Sequence, residues 1–282
     1  MTDRYAVIGH PVAHSLSPEI HTAFARMTKQ SMQYERLLGP LDQFVETVES
    51  FRQGGARGAN VTLPFKLDAF NYANDVTPRA HAAGAVNTLK FDGARIVGDN
   101  TDGIGLCRDT VGNLKVPMTG ARILLVGAGG AARGVVGPIL DAQPQQLCIV
   151  NRTLSRATDL ANRFGYLGPV TATTIDDSAA RHFDIVINAT SASLGNSMLA
   201  LPANCFAVGG LAYDMVYGKG ITPFMADAAR AGARICDGLG MLVEQAAEAF
   251  FIWRGVRPAT ADVINEMRAK MQLSAELIAH AK

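Results

Sequence analysis

Arg122-Ile123-Leu124-Leu125-Val126-Gly127-Ala128-Gly129-Gly130-Ala131-Ala132 decides the fold of this chain. A short β-branched and leucine-rich run reads as a buried strand. It ends in a glycine loop that opens a helical pattern, matching G-x-G-x-x-A in the strand–loop–helix context that gives this motif its meaning. The physical reason is steric. A residue without a side chain at Gly127 lets the backbone turn sharply, and one at Gly129 lets a pyrophosphate approach the free N–H groups at the positive end of the helix. Gly127, Ala128, Gly129, Gly130 and Ala131 are therefore the candidate phosphate-binding backbone.

Downstream, Gln146–Val150, Phe183–Asn188 and Phe206–Tyr213 repeat the apolar-run pattern with helical segments between them, which predicts a parallel, doubly wound sheet. Where an NAD-binding unit carries an acid at the end of its second strand, this chain has Asn151-Arg152-Thr153, with Arg156 one helical turn further on. A cation in place of the acid suits the extra phosphate of NADP, and a positive charge at a helix N-terminus is unfavourable unless an anion compensates it.

Upstream, Tyr5–Ile8 and Met32–Leu38 read as strands, and Ser17-Pro18 reads as the N-cap and first residue of a helix carrying Ile20, Phe24 and Met27. Leu41, Phe44, Val45, Val48 and Phe51 fall on one helical face that stops at Gly54-Gly55. Asp92-Gly93, between Val86–Phe91 and Ala94–Val97, is a strong hairpin signal. After the wound sheet come two helical patterns with no strand between them, one marked by Leu242, Val243, Ala246, Ala249, Phe250 and Trp253, the other by Val263, Met267, Met271 and Ile278. Helices of that kind need a surface to cover, so they are expected to return to the first domain. The expected architecture is α/β with two domains. An N-terminal α/β substrate domain spans 1–101 and is completed by 238–282, and a Rossmann-type NADP-binding domain spans 102–237.

Composition excludes several classes. With 26 Lys plus Arg against 25 Asp plus Glu, the net charge of +1 offers no surplus to neutralise a phosphate backbone, so nucleic acid is not an expected partner. No run approaches the ~20 apolar residues of a membrane span, and the N-terminus lacks a signal-peptide core, so a cytoplasmic protein acting without a membrane is expected. The four cysteines, Cys107, Cys148, Cys205 and Cys236, are widely spaced and suggest neither a zinc knuckle nor a disulfide framework.

Two carboxylates and one lysine stand out in the first domain. Lys66 follows a strand and a proline turn in Asn60-Val61-Thr62-Leu63-Pro64-Phe65-Lys66, and Asp99 and Asp102 sit in Gly98–Gly103, where the chain passes to the second domain. A lysine and an aspartate facing a cleft between domains could handle the proton that accompanies hydride transfer at a carbinol carbon. Of the two acids, Asp99 is the one expected to serve only as a turn or cap. Ser15 and Ser17 lie at a helix start where hydroxyls and N–H groups converge on a site suited to a carboxylate, and Ser17 could equally be a plain N-cap. His10 and His14 are spaced i, i+4, but Pro11 argues against a helix and so against a shared metal face, and no metal is expected.

Taken together, His14–Pro18, Gly58–Lys66, Ala83–Thr88, Gly98–Gly103, Gly127–Arg133, Asn151–Ala157, Tyr213-Asp214-Met215 with Tyr217, and Gly238–Trp253 resemble the shikimate dehydrogenase family. The resemblance spans nearly the whole chain. It implies NADPH-dependent reduction of 3-dehydroshikimate to shikimate on the route to aromatic amino acids, by a monomer or homodimer. It implies Lys66 and Asp102 as the catalytic pair, Ser15 and Ser17 on the substrate carboxylate, and Thr62, Asn87, Tyr217 and Gln245 as further substrate contacts. Asn151, Arg152, Thr153 and Arg156 match the NADP-reading stretch, and Thr190, Met215 and Gly238 would complete the cofactor site. The family usually has Asn where this chain has His10 and Gly where it has Ser193. The alternatives are a quinate/shikimate dehydrogenase of broader specificity and an NADP-binding sensor without turnover.

Overall fold

The computed structural model describes residues 2–179, 181–190, 200–218 and 220–280, with side chains to residue 272. The chain divides into two compact units, Met1–Gly105 with Leu242–Lys282, and Leu106–Met241.

The first unit runs β1 (Asp3–Gly9), α1 (Ser17–Thr28), β2 (Met32–Leu38), α2 (Phe44–Gln53), β3 (Ala56–Val61), α3 (Lys66–Tyr72), β4 (Asp75–Val76), α4 (Pro78–Ala83), β5 (Thr88–Asp92) and β6 (Arg95–Asp99), and α5 (Asp102–Arg108) begins in it. Its sheet has the order β2-β1-β3-β5-β6-β4. The strands β2, β1 and β3 are parallel, and β5 joins antiparallel to both β3 and β6. Central β1 is buried over its last five residues, as an apolar run covered on both faces should be. Ile8, Val48, Phe51, Val61, Phe65 and Leu89 form one core.

Three local expectations change. The helical face of α2 buries Phe44, Val48 and Phe51, but Val45 is exposed and Leu41 lies before the helix in solvent. Ser17 is not a cap. The capping position of α1 is Leu16, and the N–H of Ser17 instead donates to Ser15 Oγ at 3.3 Å, so the earlier serine takes the role expected of the later one. In the hairpin, Asp92 pairs with Arg95, leaving Gly93-Ala94 as the two-residue loop, with Gly93 at φ 60°.

The helices α10 (Leu239–Arg254) and α11 (Ala261–His280) close the chain, and residues from Leu242 onward pack with the first unit. Trp253 locks α10 in place: its indole N–H donates to Leu89 O at 3.0 Å and its ring stacks on Tyr5 at 4.7 Å. A Cβ at Gly58 would lie 2.4 Å from that indole nitrogen, which explains a glycine within β3. A buried ionic chain adds to the attachment, since Arg79 on α4 makes paired bonds to Asp99 and a third to Glu248 of α10. Asp99 also accepts from Thr77 Oγ1 and from the Asn100 N–H, so it is an anchor for α4 as well as a turn residue. Ile278 lies outside the described side chains.

The second unit contains β7 (Arg122–Val126), α6 (Gly130–Asp141), β8 (Gln146–Val150), α7 (Leu154–Phe164), β9 (Val170–Thr173), α8 (Ile175–Ser178), β10 (Phe183–Asn188), β11 (Phe206–Asp214), α9 (Pro223–Arg230) and β12 (Arg234–Asp237). The order β12-β11-β10-β7-β8-β9 is parallel throughout. In sequence rank this is the doubly wound Rossmann order, whose direction reverses between β7 and β10. The outermost strands, β9 and β12, have only four residues each and too little apolar content to stand out in the sequence.

Candidate active site

Lys66 opens α3 directly after the Leu63-Pro64-Phe65 turn. Phe65 is fully buried and stacks on Phe44 at 5.2 Å, which roots the turn in the core, and the Val86 N–H donates to Lys66 O at 2.9 Å. Asp102 opens α5 and its N–H donates to Asn100 Oδ1 at 3.2 Å. The two helix starts bring Lys66 Nζ to 2.5 Å from Asp102 Oδ2, with 28% of the lysine side chain and 14% of the aspartate exposed. The pair therefore reaches solvent while remaining shielded from most of it, conditions under which a charge-assisted hydrogen bond is short and firm.

Asn87 and Gln245 join this pair. Asn87 Nδ2 donates to Asp102 Oδ1 at 2.8 Å, on the carboxylate oxygen that Lys66 leaves free, and Gln245 Oε1 lies 3.5 Å from the same amide and 3.3 Å from Thr101 Oγ1. The amide of Gln245 is turned by its bond to Leu242 O, 2.8 Å away. Lys66, Asp102, Asn87 and Gln245, drawn from four separate stretches, thus form one polar cluster. Ser15 Oγ donates to Ser17 Oγ at 3.1 Å. Thr62 lies four residues before Lys66 with its methyl over Gly9, where a Cβ would come within 2.4 Å. His10 Nδ1 is 3.0 Å from Gly39 O, a contact that fixes its ring beside the same strand ends. Ser193 lies outside the described residues.

Four polar residues in and behind the cluster were not singled out in the sequence: Thr101, Thr88, Asn60 and Tyr34. Their signal was available as the doublets Asn87-Thr88 and Asn100-Thr101, and as a lone asparagine inside the apolar run of β3. A buried polar side chain in a strand needs partners, so each such position foretells a network.

The remaining candidates belong to the second unit. At the end of β7, Gly127 adopts φ 110°, and a Cβ there would meet Thr190 Cγ2 at 2.8 Å, so glycine is required by the protein itself. Thr190 is aimed that way because its hydroxyl donates to Asn188 Oδ1 at 2.7 Å. Gly129 and Gly130 differ, since a Cβ at either would meet nothing within 4 Å among the described residues. What their smallness leaves is open space at the N-terminus of α6, where Ala128 and Ala131 also lie. Alongside is a groove of about 490 Å³ lined by Ala128, Gly129, Arg133, Arg156, Asp159, Leu160 and Arg163.

Three arginines beside an open helix N-terminus, in a chain with almost no net charge, fit a dinucleotide bearing an additional phosphate. Arg133 and Arg163 were not among the expected cofactor contacts. Arg152 is exposed at the start of α7 and does not line the groove, whereas Asn151 Nδ2 donates to Thr153 O at 2.9 Å and shapes the turn between them. Across the other strand ends, Met215 N–H donates to Asn188 O at 3.0 Å and Gly238 N–H to Val216 O at 3.1 Å. A Cβ at Gly238 would lie 2.3 Å from Met215 O, so this glycine lets two strand ends close together. Tyr217, on the segment after β11, is half-buried, and burial raises the pKa of its hydroxyl.

Fold and sites together define a two-unit α/β protein with a Rossmann half suited to a phosphorylated dinucleotide and an α/β half carrying a lysine–aspartate pair. Family models match along the chain: a shikimate dehydrogenase substrate binding domain over residues 7–89, a shikimate/quinate 5-dehydrogenase model over 110–196 and a shikimate 5'-dehydrogenase C-terminal domain over 238–268. Shikimate dehydrogenase (NADP(+)) of Herminiimonas arsenicoxydans is 56% identical over 274 residues, covering 96% of this chain and 99% of that protein. An Ael1 enzyme from Pseudomonas putida is 48% identical with a TM-score of 0.90, covering 94% of this chain and 98% of the other. Shikimate 5-dehydrogenase from Thermus thermophilus, solved in complex with NADP(H) and shikimate, is 33% identical with a TM-score of 0.85, covering 95% of this chain and 99% of the other. The chain belongs to the shikimate dehydrogenase family.

Proposed function

We propose that Lys66 and Asp102 carry the proton in the reversible, NADP-dependent reduction of 3-dehydroshikimate to shikimate. The observation that carries this reading is the 2.5 Å pair itself, held among Asn87, Thr101 and Gln245. When bound, NADPH supplies the hydride that goes to C3 of the substrate. In that direction Lys66 Nζ gives its proton to the C3 oxygen, which becomes the hydroxyl of shikimate. Asp102 stays a carboxylate, orients Nζ and stabilises the ammonium before transfer, and accepts from the substrate hydroxyl once it has formed. The exposed fraction of Lys66 gives the amine a route back to solvent for reprotonation. In the oxidative direction the neutral amine takes the hydroxyl proton.

Ser15 and Ser17 hold the substrate carboxylate, and Thr62, Asn87, Tyr217 and Gln245 hold ring hydroxyls. Gly127–Ala131 receives the pyrophosphate at the N-terminus of α6. Asn151, Arg152, Thr153 and Arg156 read the adenosine phosphate, joined by Arg133, and Thr190, Met215 and Gly238 line the nicotinamide end. The unit of residues 1–105 with 242–282 serves as the substrate domain and the unit of 106–241 as the cofactor domain. Among the described residues no helix is long and apolar enough to cross a membrane. The enzyme works in the cytoplasm as a monomer or homodimer, which sedimentation of the purified protein checks.

The test is direct: purified protein is mixed with shikimate and NADP and followed at the absorbance of NADPH. Turnover is expected, and Lys66→Ala should lower kcat by roughly 10²–10⁴ with a far smaller change in the KM for shikimate. Comparable turnover of quinate with NAD would instead assign a quinate/shikimate dehydrogenase of broader specificity. Binding of NADP without turnover would make the protein a sensor.

A further inference from the structure

A continuous line of hydrogen bonds, buried at its centre, runs from Tyr34 to Asp102. Tyr34 OH bonds Asn60 Oδ1 at 2.7 Å, and Asn60 Nδ2 bonds Thr88 Oγ1 at 3.1 Å. Thr88 Oγ1 bonds Asn87 Oδ1 at 2.9 Å, and Asn87 Nδ2 bonds Asp102 Oδ1 at 2.8 Å. Asn60 and Thr88 face each other across the β3–β5 ladder, so strand register makes the central link.

Backbone groups fix the direction of every bond. Asn60 Nδ2 also donates to Asn87 O, 3.2 Å away, and a carbonyl can only accept, so Asn60 Oδ1 must face Tyr34 and the phenol must donate. The Thr101 N–H donates to Asn87 Oδ1 at 2.9 Å, so Asn87 Nδ2 must face the carboxylate. Thr88 accepts from one amide and therefore donates to the other. The Tyr34 ring is clamped by His21, stacked on it at 4.2 Å, and burial keeps the phenol neutral and able to donate.

We propose that Tyr34, Asn60 and Thr88 are positioning residues that set the Asn87 carboxamide against Asp102. Resting on the assignment of Lys66 and Asp102 above, this deepens that reading. The oxygen of Asp102 that Lys66 does not use is held by a donor whose orientation is secured by Thr101 and, from the strand side, by Thr88. Loss of the Thr88 hydroxyl removes one of the donors to Asn87 Oδ1 and one of the two acceptors of Asn60 Nδ2, so the Asn87 amide is held from the Thr101 side alone.

The experiment uses the full-length enzyme with Thr88→Val, which keeps the shape and β-branching of the side chain, Thr88→Ser, which keeps the hydroxyl, and Tyr34→Phe. Thr88→Val and Tyr34→Phe are expected to lower kcat about ten-fold, the effect of one secured hydrogen bond at a reacting group, with the KM for NADP unchanged. Thr88→Ser should restore kcat to within about two-fold of wild type. In an Asp102→Asn background the further loss from Thr88→Val should shrink below about two-fold, because a residue that acts through Asp102 has nothing left to act through. Equal losses in both backgrounds, or failure of Thr88→Ser to restore kcat, would overturn the proposal. If Thr88→Val does not fold, Tyr34→Phe at the far end carries the same cycle. Should Lys66→Ala retain turnover, the fault lies with the proton-transfer assignment instead.

Discussion

His21 gives the folded chain an acid-labile point that the reaction does not use. It lies on α1 with no exposed surface, stacked on Tyr34 and 5.3 Å from the Trp253 ring, and neither ring nitrogen reaches a hydrogen-bond partner among the described residues. Burial pushes its pKa from 6.5 down to about 3, opposed only weakly by the nearby Asn60 side chain. The unfolded chain therefore takes up a proton as pH falls through 6.5, while the folded chain takes it up only near pH 3. Between those values the unfolded state binds more protons, so stability rises with pH across the window and is lost as pH falls through it. At about 1.4 kcal/mol per pH unit, moving from pH 7 to pH 5 costs about 2 kcal/mol from this residue alone. With a urea dependence of about 2–3 kcal/mol per molar, the unfolding midpoint should drop by roughly 0.7–1 M.

Trp253 is the single tryptophan of the chain and belongs to the same unit as His21, so its fluorescence reports on that unit alone. The comparison is between wild type and His21→Phe, each measured at both pH values, so that any uniform effect of the substitution cancels. The wild-type difference should exceed the variant's by about 2 kcal/mol. An equal pH dependence in the two proteins would refute the argument that the neutral imidazole is held by burial.

Three further outcomes follow from the site geometry. Lys66→Ala should lower kcat by roughly 10²–10⁴ in the NADPH-coupled assay with little change in the KM for shikimate. Arg156→Ala should raise the KM for NADPH by roughly ten-fold or more and leave the KM for NADH nearly unchanged, Arg152→Ala acting in the same sense but less, because Arg152 does not line the groove. Gly127→Ala forces a side chain into φ 110° against Thr190 Cγ2, and a loss of about 1–3 kcal/mol in urea unfolding together with weaker dinucleotide binding by fluorescence titration is expected.

The wound sheet was legible because its central strands are buried on both faces. Ile123–Val126, Leu147–Val150 and Ile185–Ile187 are continuous apolar runs, and the observed strands Arg122–Val126, Gln146–Val150 and Phe183–Asn188 have the expected bounds. Edge strands lack that constraint, and Val170–Thr173 and Arg234–Asp237 carry half-exposed patterns that composition does not separate from loop. The apolar face of α2 misled in a related way. Leu41 and Val45 fit the helical period but remain in solvent, since periodicity registers residue type and not which of two adjacent stripes meets the core.

The two halves of the site differ in how the sequence can announce them. In the Rossmann half the site is made by what is missing: no described residue crowds Gly129 or Gly130, and Arg156 and Arg163 nearby stand on exposed helix turns. Such a site is written in a few adjacent positions, so a motif captures it. In the other half the site is made by what is present and buried. Asn60, Thr88, Thr101 and Asn87 are each nearly or fully removed from solvent, and each orientation is dictated by a partner on a different strand or loop. No local pattern encodes that dependence, because strand register, which places Asn60 opposite Thr88 and Thr88 opposite Asp99, is fixed only when the sheet assembles. Lys66 and Asp102 can be found as residue types from the sequence; the frame that aims them is a property of the assembled sheet, and substitutions of Asn60 or Thr88 in that frame should reach the chemistry without touching the substrate.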